Sequence, residues 1–260
     1  SCDLMPSGSR DWEGNPDVFV SDFGIYGFIG KRAAFVGRPN PLWSRMPYMR
    51  AILLCSVLII TSSIGSAMAG GLAVSGGASL SYATGGDSGQ KSDVNGHIEG
   101  DLANVYLGAS IDAYNDSASD EVDLSAGYRN TIGAGLGYDL SYTRNFFPND
   151  GGDCCGDVAL SLSLPVNDKL TATVESNYYP EDKTTDAHLT VDFALSDKIT
   201  LTGKGGRVGN IGAGDTGEWE VAASYALGQE TAVTLHYYDS SAEKGYLGLD
   251  LTWDTAALGG

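Results

Sequence analysis

Residues 93–102 read DVNGHIEGDL, a strict alternation in which Val94, Gly96, Ile98, Gly100 and Leu102 share one side and Asp93, Asn95, His97, Glu99 and Asp101 share the other. A period of two marks a β-strand with one apolar and one polar face. The pattern opens at Leu72 to Tyr82. It returns at Val105 to Ile111, Val122 to Tyr128, Leu136 to Tyr142, Val158 to Leu164, Leu170 to Val174 and Ala187 to Phe193. It continues at Ile199 to Leu201, Trp219 to Tyr225, Val233 to Tyr237 and Leu247 to Trp253, making twelve segments, and nothing of helical period competes.

The connections alternate as well. Longer polar stretches (TGGDSGQK, NDSASD, NFFPNDGGDCC, YPEDKTT, GNIGAGDTG and DSSAEKG) follow the odd segments, and short turns such as Ala103-Asn104 and Ser196-Asp197 follow the even ones. A soluble sandwich would alternate too, but its strands are typically about 5 to 6 residues. These segments run near ten, the length a tilted strand needs to cross a bilayer. The expected fold is therefore all-β, a transmembrane antiparallel up-and-down β-barrel of twelve strands. Ten strands is the alternative, because the first and ninth segments are the richest in glycine.

Residues Met46 to Ala69 (MPYMRAILLCSVLIITSSIGSAMA) join a cationic start at Arg50 to an apolar run and an A-x-A site at Ala67-Met68-Ala69. This is the layout of a secretory signal peptide cleaved before Gly70. A membrane-spanning helix is disfavoured because Thr61, Ser62, Ser63, Gly65 and Ser66 interrupt the run. Residues 1–45 show neither period and are read as an upstream extension outside the folded protein, residues 46–69 as the signal, and residues 70–260 as the barrel. Export then sets the expected location, the bacterial outer membrane, and the expected partners: outer-membrane lipid and the barrel assembly machinery.

The whole chain of 260 residues carries 15 Lys and Arg against 33 Asp and Glu, for a net charge of −18, and it holds 36 glycines. A nucleic-acid partner needs a basic surface, so none is expected. Carboxylates at Asp93, Glu99, Asp101, Asp112, Glu121, Asp123, Asp139, Asp157, Glu175, Asp186, Asp192, Glu218, Glu220 and Asp250 all fall on the polar face. Unpaired carboxylates in a dry core would be prohibitively costly, so that face must be wet. If it lies inside, the chain encloses an acidic lumen. The expected function is then passive diffusion of small solutes with a preference for cations, lined by Asp101, Asp112, Glu121, Asp123, Glu175, Asp192, Glu220 and Asp250, with Arg129 and Lys204 as their basic counterparts. The opposing reading is a closed structural or adhesive barrel without a conducting pore.

Several stretches resemble a known family. EVDLSAGY from Glu121 to Tyr128, GYDLSYTRNFFP from Gly137 to Pro148, DVALSLSL, TVESNYY, and GEWEVAASYAL followed by TAVTLHYYDSS are similar to the TorF family of proteobacterial outer-membrane porins. The likeness covers about Leu102 to Trp253 and implies a barrel with a porin-like role, with no substrate or active-site residues to carry over. The chain departs from the family at Cys154-Cys155 and in its ending DTAALGG, where such barrels finish on an aromatic residue.

No catalytic signature is present: H-E-x-x-H, G-x-S-x-G and a phosphate loop are all missing from the sequence. Gly203 to Gly209 is glycine-rich but sits in a strand with no helix after it. His97, His188 and His236 share the polar face without a motif that ties a serine to any of them, so the chain is read as a non-enzyme. No cofactor is expected. Asn149, Asp150, Asp153 and Asp157 offer hard oxygens of the kind calcium uses, but in no known loop spacing, so solvated surface charge is the expectation and no metal is assigned. Cys154 and Cys155 would oxidise in an exported protein. Sequence alone leaves open a ring between neighbours, a cross-link between molecules, or free thiols.

Overall fold

The structure is a computed structural model that describes residues 71–255 apart from 87–88, 116–119, 134, 150–151, 211 and 213. The signal segment and the upstream extension lie outside the described residues. Twelve strands follow one another: β1 (Leu72–Gly85), β2 (Gly89–Leu102), β3 (Val105–Tyr114), β4 (Glu121–Ile132), β5 (Leu136–Phe147) and β6 (Gly152–Asn167), then β7 (Leu170–Tyr179), β8 (Thr184–Ser196), β9 (Ile199–Val208), β10 (Thr216–Ala226), β11 (Thr231–Ser240) and β12 (Tyr246–Asp254). Each pairs antiparallel with its sequence neighbours, and β1 pairs with β12 from Gly77↔Asp254 to Gly85↔Tyr246, which closes the sheet into a barrel. The twelve-strand expectation holds, and the glycine-rich first and ninth segments are full members of the ladder.

Closure leaves no strand edge, and the alternation then decides which face is inside. The polarity is the reverse of a soluble protein's. Leu80, Leu107, Leu124, Leu160, Leu189 and Leu249 stand exposed on the outer wall, while Asp93, Asp123, Asp186, His188, Lys204 and Glu220 are buried within. Tyr82, Tyr128, Tyr142, Trp219, Tyr225 and Tyr237 also face outward. Aromatic pairs such as Trp219 with Tyr237, ring centres 5.5 Å apart, add to that outer surface.

The loop expectation is corrected in length. Parts of the polar stretches are strand: β1 and β2 stay paired to Gly85↔Gly89, and β6 starts at Gly152. The six connections at this end span only three to seven residues, against two to four at the other. Where a strand end is polar or small on both faces, as at Gly89-Gln90-Lys91, no apolar mark separates it from a loop, yet its backbone groups still gain by pairing.

Candidate functional site

The inward side chains form two electrostatically distinct zones. In the half nearer the longer connections, carboxylates occur on seven strands: Asp93 on β2, Asp112 on β3, Glu121 and Asp123 on β4, Asp157 on β6, Asp186 on β8, Glu218 and Glu220 on β10, and Asp250 on β12. Register brings them together. Ser81 pairs with both Asp250 and Asp93, making one row across β12, β1 and β2. Asp112 pairs with Asn95 and Glu121, and Asp123 pairs with Ser110 and Asn145, so two further rows continue across β3, β4 and β5. Neutral donors serve this belt. Asn95 donates to Asp112 at 2.9 Å, Asn145 to Glu121 at 2.8 Å and Ser110 to Asp123 at 3.1 Å.

Other oxygens in the belt are not served by protein. The Oδ1 atoms of Asp93 and Asp123 are buried without a hydrogen-bond partner among the described residues. Buried polar groups are nearly always satisfied, so these oxygens call for water, protons or mobile cations.

Near the tight turns the charge is neutralised instead. Arg129 bridges Glu99 and Asp101, and its guanidinium lies 4.5 Å from the ring centre of Tyr106. The Tyr106 hydroxyl in turn donates to Asp139 at 2.8 Å. Asp192 accepts from Thr202 at 2.6 Å in the same half of the barrel.

Every candidate pore-lining residue therefore occupies the inner face, but they do not share one constriction. Asp112, Glu121, Asp123, Glu220 and Asp250 belong to the acidic belt; Asp101, Arg129 and Asp192 lie toward the turns. Glu175 stands between Ser161 and His188 in the ladder, and Lys204 between Thr190 and Glu220.

Each inward histidine is seated against a glycine. His97 pairs with Gly77, His188 with Gly206 and His236 with Gly248, and Tyr106 pairs with Gly127 in the same way. A β-carbon on any of these glycines would collide with the facing ring. The rings therefore lie over the glycines, and the histidines reach carboxylates beside or beyond them. His188 meets Glu218 across β9 at 2.6 Å, His236 meets Asp250 at 2.9 Å, and the more exposed His97 meets Asp254 at 3.5 Å. This accounts for much of the inner-face glycine.

Inward tyrosines were not foreseen from the sequence. Tyr238 donates to Glu218 at 2.9 Å and stacks on Tyr246 with ring centres 5.0 Å apart, while Tyr106 is fully buried. The adjacent pairs Tyr178-Tyr179 and Tyr237-Tyr238 carried the signal, since neighbouring residues on a strand must face opposite ways.

The oxygens considered for calcium do not converge. Asn149 bonds Asp120, Asp153 is held by Arg144, Asp157 is buried on the inner face, and Asp150 lies outside the described residues. No three metal-ligating side chains are grouped for a metal ion among the described residues. Cys154 and Cys155 are joined to each other, which selects the ring between neighbours from the three alternatives.

A closed twelve-stranded barrel, apolar outside and acidic within, has the architecture of a transmembrane β-barrel. Solved structures of similar fold include the KdgM porin (TM-score 0.54, 12% identity, 68% of this chain and 98% of that one) and the NanC porin (0.53, 9%, 68% and 98%). An outer membrane channel from Pseudomonas putida F1 is also similar (0.50, 11%, 74% and 98%). No family model and no curated protein matches the chain.

Proposed function

We propose that this chain is an outer-membrane porin passing small solutes, with a preference for cations, and that it belongs with the TorF-like porins it resembles in sequence. The observation that carries the reading is the acidic belt: carboxylates on seven strands face one lumen, and the fixed positive charge of Arg129 is already engaged by Glu99 and Asp101 at the other end. Rings of acidic side chains favour cation passage. The outer wall of leucine and aromatic residues fits a hydrocarbon slab, and the signal at 46–69 would deliver the barrel to the outer membrane and its assembly machinery. One fold neighbour is a KdgM porin in complex with oligogalacturonate, a polyanion. An interior lined with carboxylates would repel such a ligand, so the shared fold serves a different solute here.

Recording in planar bilayers under a salt gradient tests the proposal. Cation-selective steps are expected, and neutralising Glu121→Gln with Asp123→Asn should move the reversal potential toward zero while the barrel still folds, since lumen substitutions tune selectivity. Anion selectivity, or an unchanged reversal potential in the double variant, overturns it. A closed structural barrel is the second reading, favoured by the depth at which Asp123, Asp186 and Lys204 are buried. Electrical silence from a folded, inserted barrel would decide for it.

A further inference from the structure

Cys154 and Cys155 sit at the start of β6 on the rim that carries the longer connections. Adjacent residues of a regular strand point to opposite faces, whereas a disulfide needs its β-carbons about 3.5–4.5 Å apart. The ladder gives way at this point. Asn145 pairs with Cys155 and Phe146 with Asp153, so Cys154 is the unpaired extra residue of a β-bulge. The bulge turns two neighbouring thiols toward each other and leaves Cys154 exposed.

A structural role does not explain the pair. Disulfides stabilise chiefly by closing loops in the unfolded chain, more for longer loops, and a bond between sequence neighbours closes almost none. The flanking backbone is tethered independently: Arg144 holds Asp153 at 2.6 Å and Glu181 at 3.0 Å, and the Gly156 N–H donates to Glu181 at 3.4 Å. Opening the disulfide would therefore leave the two thiols close together on an anchored bulge.

We propose that Cys154 and Cys155 form a redox-gated site for a soft thiophilic metalloid or metal, closed as the disulfide and open as a vicinal dithiol. A small-molecule thiol opens it by exchange: two thiol molecules are oxidised to their own disulfide, and the protein disulfide takes up the two electrons and two protons to become two S–H groups. An oxo-arsenic(III) compound then condenses with both, forming two As–S bonds and releasing its oxygen as water with the two thiol protons, with arsenic remaining trivalent. Thiolate sulfur is the soft ligand such centres select. The site is independent of conduction, so its test needs no channel activity.

The test uses the full chain with Cys2→Ser and Cys55→Ser, folded in detergent, and phenylarsine oxide as probe. The oxidised protein should be monomeric, show no reactive thiol and retain no arsenic. After reduction and removal of reductant it should gain the mass of two hydrogens and retain one arsenic per chain. Cys154→Ser and Cys155→Ser should each retain none, while still migrating as folded barrels without boiling. Free thiols or disulfide-linked dimers in the oxidised preparation overturn the proposal, as does a reduced, folded barrel that retains no arsenic or a single-cysteine variant that retains it as well as the parent.

Discussion

Replacing Gly127 by alanine tests whether inner-face glycines exist to seat the rings opposite them. A β-carbon there would fall among the ring atoms of Tyr106, closer than van der Waals contact allows, so the buried tyrosine must leave its place. Overpacking of this kind costs about 1–3 kcal/mol. Displacing the ring also weakens a hydrogen bond to a carboxylate, worth about 1.5–3 kcal/mol, and the contact with Arg129, worth roughly 0.5–2 kcal/mol. Partial relaxation keeps these from adding, and a net loss of about 2–4 kcal/mol is expected. Gly203 is the control. It faces outward on β9 with nothing within 4 Å of its would-be β-carbon, so Gly203→Ala should be neutral or stabilising by about 0.5–1 kcal/mol.

Urea unfolding of the refolded barrel in lipid vesicles, followed by tryptophan fluorescence and by migration without boiling, gives both values. The decisive measurement is a cycle with Tyr106→Ala. With the ring gone, Gly127→Ala should cost less than about 0.5 kcal/mol, the limit within which uncoupled sites add. If Gly127→Ala destabilises equally with and without the ring, or no more than Gly203→Ala, the seating argument fails.

Other positions give further contrasts. Leu160 and Ser161 are neighbours on β6 that face lipid and lumen respectively, so Leu160→Arg should cost about 2–4 kcal/mol and Ser161→Arg clearly less in the same vesicle titration; equal losses would contradict the inside-out assignment. His188→Ala removes a buried partner of Glu218 and should cost about 1–3 kcal/mol, whereas His97→Ala breaks a partly exposed contact and should cost below about 1 kcal/mol. The reverse order in urea midpoints would show that burial does not govern these pairs.

Facing was legible in the sequence because it depends on parity alone. Once Val94 and Ile98 share a face, Asp93 and Glu99 take the other, and the same step placed fourteen carboxylates inside correctly. Strand length was less legible. The stretch GQK at the start of β2 offers no apolar residue to betray the ladder it joins, and NFFPNDGGDCC hid the start of β6. The clusters were not legible at all. That Arg129 would meet Asp101, or His188 reach Glu218, depends on how far each strand slides along the next, and a slide of two residues leaves every face unchanged while exchanging every partner. The bulge at Cys154 was hidden for the same reason, because it is a property of two strands rather than one.

This distinction also sorts the candidate residues by what they can do to a passing ion. Asp101 and Arg129 share parity with Glu121, but register places them where positive and negative charges compensate over a few ångströms, and a compensated cluster projects little field into a lumen. The belt around Asp93, Asp112, Glu121, Asp123 and Asp250 is served by asparagine and serine at several of its carboxylates, neutral donors that bring no positive charge with them. His236 beside Asp250 adds positive charge only when protonated. Any carboxylate charge there that no fixed cation offsets acts over longer distances beside a low-dielectric wall than in bulk water. On the proposed porin reading, selectivity should therefore be set in the half nearest the longer connections, with the Arg129 cluster holding the wall together at the other end.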